Sequence, residues 1–96
     1  MAIDSFAPTD AVELQAANVS SSVELPTTGS PTVAIVTNLG QRVVFVALGD
    51  DTVEALQYGS MAVLPGSSVA LTIGTNTNLA AITLSGVAGL NIAVGT

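Results

Sequence analysis

A period of two, repeated along most of the chain, limits what this sequence can fold into. Apolar and polar residues alternate in short runs, and turn residues part the runs about every 8–12 positions. No stretch carries the i, i+3, i+4, i+7 apolar stripe of an amphipathic helix. The pattern predicts an all-β chain of about eight strands, a small β-sandwich or jelly-roll-like domain. Ala11–Ala16 alternates with Val12 and Leu14 on one face, and Asn18–Leu25 continues as a polar, half-buried strand. Pro26–Pro31 is a loop by composition. Thr32–Thr37 and Arg42–Leu48 read as partner strands of a hairpin, joined through Asn38-Leu39-Gly40-Gln41. Both faces of Arg42–Leu48 are apolar, so it is expected to be a central strand covered on both sides. Gly49-Asp50-Asp51-Thr52 is a turn, Val53–Ala62 is less regular, and Pro65-Gly66 suits a type II turn. Ser67–Ile73, Leu79–Leu84 and Leu90–Val94 supply the last strands. Residues 1–10 read as an extended N-terminal arm and residues 11–96 as the sandwich.

A chain of 96 residues makes one domain, and one this small buries only part of its surface. There are no cysteines to staple it. Oligomerisation is therefore an expected source of further burial. Only 8% of residues are charged, against roughly 25% in an average soluble protein, while 49% are hydrophobic. Ser, Thr, Asn and Gln take the place of surface charges, and hydroxyls and amides cost far less to dehydrate than ions. Such a surface fits a molecule much of whose exterior touches protein. The net charge is -6, with Arg42 as the sole basic side chain. Binding to nucleic acid or to anionic membranes, which needs several Lys or Arg, is not expected. No apolar run approaches the ~18 residues of a membrane-spanning helix. Met1-Ala2-Ile3-Asp4 shows no basic stretch followed by an apolar one, so synthesis and use in the cytoplasm, or release by lysis, is expected.

The chain has no His, Cys, Lys or Trp. Ser–His, Cys–His and Ser–Lys nucleophile pairs and His/Cys zinc sites cannot be built from it. No phosphate-binding glycine motif is present. We expect no enzymatic activity, no catalytic residues, no cofactor and no metal. Asp50, Asp51 and Glu54 cluster in and after a turn, where a hard cation such as Ca²⁺ is weighed against a plain solvated loop. A carboxylate pair for glycoside cleavage is disfavoured by the 3% aromatic content. Asn18-Val19-Ser20 matches a glycosylation sequon by pattern and is read as chance.

Three residues are candidates for an interface. Phe6 is a lone aromatic in a polar arm and needs a body to dock on, its own or a neighbour's. Arg42 either pairs with a carboxylate across an interface or is an ordinary strand-start charge. Tyr58 is an anchor or a rim residue with a wet hydroxyl. Phe45 belongs to the core.

From Thr32 onward, about two-thirds of the chain resembles the small head decoration, or cement, proteins of tailed bacteriophages. The resemblance lies in Val36-Thr37-Asn38-Leu39-Gly40, Val44-Phe45-Val46-Ala47-Leu48-Gly49 and Val63-Leu64-Pro65-Gly66-Ser67. It continues in Leu79-Ala80-Ala81-Ile82-Thr83 and Leu90-Asn91-Ile92-Ala93-Val94-Gly95. It implies a β-sandwich on the outer surface of a virion capsid, made in a bacterial host's cytoplasm. Its partner would be the major capsid protein, whose neighbouring coat subunits it would clamp as a homo-oligomer, trimer or dimer. The alternative is a tail- or fibre-associated binding module that recognises a host surface glycan or receptor.

Overall fold

The computed structural model describes residues 8–96 and contains strands without a helix among them. Eight strands follow in chain order: β1 (Pro8–Ala16), β2 (Ser21–Glu24), β3 (Val33–Asn38), β4 (Val44–Gly49), β5 (Met61–Val63), β6 (Ser68–Thr72), β7 (Asn78–Thr83) and β8 (Ala88–Gly95). They form two four-stranded sheets with the orders β1-β8-β3-β6 and β2-β7-β4-β5. Every pairing is antiparallel. Successive strands other than β4 and β5 switch sheets, in the two-Greek-key manner of a jelly roll, as the sequence pattern predicts.

The period-two pattern decides which side chains meet between the sheets. Ala34 and Val36 of β3, Leu90, Ile92 and Val94 of β8, Val44 and Val46 of β4, and Leu79 and Ala81 of β7 are buried in one continuous core. Val12, Leu14, Val69 and Leu71 pack on it from the edge strands β1 and β6. A second, smaller cluster lies on the far side of the second sheet, where Phe45, Ala80 and Ile82 are covered by Ala55 and Val53 from the β4–β5 connection. The expectation that the central strand is covered on both sides holds for this reason. Phe45 is buried, under a loop rather than between the sheets.

The expected hairpin between residues 32–37 and 42–48 is wrong. β3 sits in the first sheet between β8 and β6, and β4 in the second between β7 and β5. Residues 39–43 cross between sheets instead. The device that turns the corner is the Asn38 side chain, fully buried. Its Nδ2 donates to the backbone oxygens of Arg42 (2.7 Å) and Val63 (3.0 Å), and its Oδ1 accepts from the Gly40 amide (2.9 Å). One side chain thus ties three backbone groups at this corner. The predicted type II turn does form: Gly66 has φ +75° and the Ser67 amide donates to the Leu64 oxygen at 3.0 Å. The expected strand 18–25 narrows to Ser21–Glu24. β1 starts at Pro8, which faces Gly95, so residues 8–10 of the expected arm stand beside β8, with a register shift between Pro8 and Asp10.

Candidate functional site

The register sends four connections to one end of the sandwich: residues 17–20, 39–43, 64–67 and 84–87. β1 and β8 meet there at Ala16 and Ala88, β3 and β8 at Asn38 and Leu90, and β4 and β7 at Val44 and Thr83. Hydrogen bonds stitch these connections together. The Thr83 amide donates to the Ala17 oxygen (2.8 Å), Leu39 to Gly89 (2.9 Å) and Gly66 to Asn38 (2.9 Å). Gly40 lies so close to Ala88 that a Cβ there would come within 2.6 Å of the alanine methyl.

Each connection holds up at least one large apolar side chain. Val19, Leu39, Leu64, Leu84 and Val87 are all exposed, Val19 to 72% and Leu39 to 68%. Isolated exposed apolar residues are ordinary, but several gathered at one end make a candidate contact surface. Arg42, also in the 39–43 connection, is exposed, and its guanidinium lies along the 84–87 turn, where a Cβ on Gly86 would stand 3.2 Å from Nε.

The β4–β5 connection extends this surface onto the flank of the second sheet. Its course is pinned by the Ala55 amide donating to Ser20 Oγ (2.9 Å) and by Gln57 Nε2 donating to the Thr83 oxygen (2.9 Å). Both partners belong to the apolar end. Leu56, Tyr58 and Met61 are exposed along it. The Tyr58 ring stands 5.5 Å from that of Phe45, tilted by 53°, yet remains 79% exposed. Its backbone is left-handed, φ +63°, a region that costs a bulky residue about 1–2 kcal/mol. A strained, exposed aromatic resting on a buried one is a presented side chain. Replacing Tyr58 with glycine should leave the unfolding free energy within about 1 kcal/mol of the parent, because relieved strain offsets the lost ring contact of about 0.5–1.5 kcal/mol. Chemical denaturation checks this, and a loss well beyond that range would make Tyr58 a structural residue.

The acids lie mostly at the opposite end. Asp10 opens β1, Glu24 closes β2, and Asp50 and Asp51 follow β4. Among the described residues no group of three or more His, Cys, Asp or Glu side chains is placed to hold a metal ion. Asp50 is engaged locally: its Oδ1 accepts from the Thr52 amide (2.9 Å) and the Thr52 hydroxyl (2.6 Å). The Thr52 hydroxyl first, and then its amide, hold the Asp50 carboxyl below its ordinary pKa. A depressed folded-state pKa adds stability above the unfolded value, and that contribution fades as pH falls through the folded one. Thr52→Val should move the NMR titration midpoint of Asp50 back up. An unmoved midpoint would assign the shift to another cause.

Of the three predicted interface residues, Arg42 and Tyr58 are thus brought to the same end and its flank. Phe6 lies outside the described residues. Sequence reading missed the five apolar loop residues and the role of Asn38.

No protein-family model matches the chain, and no curated protein is significantly similar to it in sequence. Several solved structures align with it. A chain from the Bacillus endospore appendages, a family of disulfide-linked pili, aligns over 90% of this chain and 83% of its own at 15% identity, TM-score 0.48. The tobacco streak virus coat protein aligns over 94% and 89% at 9% identity, TM-score 0.40. The crystal structure of the SPBc2 prophage-derived protein YomS matches 100% of this chain and 99% of its own, with 14% identity and a TM-score of 0.58. The chain therefore shares its sandwich fold with a prophage-derived protein.

Proposed function

We propose that the chain is a virion structural protein that docks its apolar end on the outer surface of a phage capsid and clamps neighbouring coat subunits. The observation that carries this reading is the gathering of Val19, Leu39, Leu64, Leu84 and Val87 from four separate connections at one end. The low charge content and the neutral polar surface support it, since both lower the cost of covering the molecule with protein. The sequence resemblance to head decoration proteins and the fold shared with a prophage-derived protein agree with a phage setting.

The mechanism is mass action. A subunit that binds only the assembled shell stabilises that shell in proportion to its own binding. A symmetric homo-oligomer, trimer or dimer, would join several weak contacts into one strong one. The acidic end would face away from the shell, and like charges would hold free subunits apart. Gradient co-sedimentation with mature empty heads that lack the protein tests the reading. Saturable binding at a fixed copy number supports it. Absence of binding overturns it and favours a tail-associated module that binds a host glycan, for which the presented Tyr58 ring would be the stacking group.

A further inference from the structure

The two sheets differ in what lies on their outward sides. On the second sheet the β4–β5 connection covers Phe45, Ala80 and Ile82. On the first sheet Ile35 alternates with the core residues Ala34 and Val36, so its side chain points outward, and it belongs to neither core cluster. The ladder registers place its neighbours. Ala11 faces Ala93, Ala93 faces Ile35 and Ile35 faces Ala70, so one apolar row crosses all four strands. The next row on the same side runs Glu13, Asn91, Thr37 and Ser68. The outer members of both rows are exposed, and the central ones are half-buried between them.

A two-fold axis parallel to the strands sets this face against the same face of a second copy in the aligned packing that sandwiches use. Such an axis reverses the strand order and keeps the height of each row. β1 then lies over β6 of the second copy, and β8 over β3. In the apolar row Ile35 falls on Ala93 of the second copy and Ala11 on its Ala70, so that each large side chain meets a methyl. In the polar row Asn91 falls on Thr37 and Glu13 on Ser68, an amide and a carboxylate each against a hydroxyl. The Thr37 and Ser68 hydroxyls are 2.8 Å apart within one copy. With Thr37 donating to Ser68, the Ser68 proton is free for the carboxylate. A two-fold across the strands would instead stack Ile35 on Ile35 and the acids of β1 on themselves.

We propose that two copies of this chain pack the outer faces of their first sheets together about the strand-parallel axis, as a symmetric dimer. This deepens the homo-oligomer of the reading above by choosing the dimer, and it is tested on the free protein, so that loss of shell binding leaves it standing. Charge agrees with the axis. Asp10 and Glu13 on β1 face an uncharged strand, Ser68–Thr72. Glu24, Asp50 and Asp51 lie on or beyond strands of the second sheets. Those sheets are outermost in the dimer, about three sheet spacings (~30 Å) apart and well past the ~10 Å screening length. Size agrees as well: the molecule measures 34 × 32 × 20 Å, and a broad face of that outline has room for the ~800 Å² per partner of a standard interface. Because the axis runs along the strands, both apolar ends point the same way, and one dimer presents two of them to one surface.

Sedimentation of the full chain over a concentration series tests the dimer, and two variants test its geometry. Ile35→Ala and Ala93→Ile should each raise the dimer dissociation constant by about tenfold or more. The first leaves a gap twice in the interface, and the second stacks isoleucine on isoleucine twice. Mixed in equal amounts, the two variants should form a heterodimer about as tight as the parent, because the shortened side chain of one falls on the enlarged side chain of the other. That rescue reports contact between chains, which the Ile35–Ala93 pairing within one chain cannot mimic. A parent that stays monomeric, a trimer mass, variants that dimerise like the parent, or a mixture no tighter than either variant alone would overturn the proposal. The parent gives an independent reading through isotope-filtered NMR of mixed labelled and unlabelled copies. Cross-peaks are expected between the Ile35 methyls of one copy and the Ala93 methyl of the other. Their absence from a dimeric parent would sink the idea even if a variant misfolded.

Discussion

Asn38→Ala is expected to lower the unfolding free energy by about 3 kcal/mol, a large share of what a domain this size has. The substitution leaves the Arg42 and Val63 oxygens and the Gly40 amide without their partner at a buried corner. A buried polar group left unpaired costs about 1–3 kcal/mol, and water can reach only the outer part of this site. Asn38→Leu, close in volume, separates two causes. If the hydrogen bonds matter, leucine is as damaging as alanine. Near-parental stability from leucine in a urea titration would mean that Asn38 acts through packing, and the corner would need another explanation.

Paired substitution of Leu39 and Val87 by aspartate should weaken shell binding by about 100-fold or more, with folding stability altered by about 0.5 kcal/mol or less. Burying a Leu or Val side chain contributes about 1.5–3 kcal/mol, and tenfold in affinity corresponds to 1.4 kcal/mol. Two such losses, with two carboxylates to dehydrate, give the stated change. Both side chains are more than half exposed in the free protein, so the fold does not depend on them. Co-sedimentation and thermal denaturation on the same variants report the two effects separately. Parental binding by the folded variant would remove the apolar end from the interface and with it the orientation proposed above.

The strands were legible because alternation is a local property. Val12 and Leu14, Val69 and Leu71, and Leu90, Ile92 and Val94 each mark an inner face without reference to any partner. Pairing was not legible, because a period of two is the same for every strand. Asn38-Leu39-Gly40-Gln41 has the composition of a hairpin turn, and only the buried Asn38 side chain, bonded to a residue 25 positions away, reveals a crossover. The apolar end was hidden for a related reason. Val19, Leu39, Leu64, Leu84 and Val87 stand in four connections and look like single loop residues. They become a surface only when the jelly-roll order brings those connections together. The signal available was that all four carry a large apolar residue beside their turn residues. Phe45 was rightly placed inside, but its cover was not foreseen, because Ala55 and Val53 lie in the segment with the least regular pattern.

The pairing of the first strand with the last has a consequence for how the molecule comes into being. β1 finds its partner only when β8 exists, and β2 must wait for β7. Among the described residues, β4 and β5 are the only successive strands that pair. The ladders of β1 and β2 therefore cannot close until β8 and β7 have been made, and the order of synthesis does not guide the order of folding. Chains dominated by such distant pairings fold in roughly milliseconds to seconds, well behind helical bundles of the same length. During that interval the uncharged edge strand β6, Ser68–Thr72, is open to other nascent copies. The rate of chain release relative to folding thus becomes a quantity that sets yield. Slowing synthesis should raise the soluble fraction.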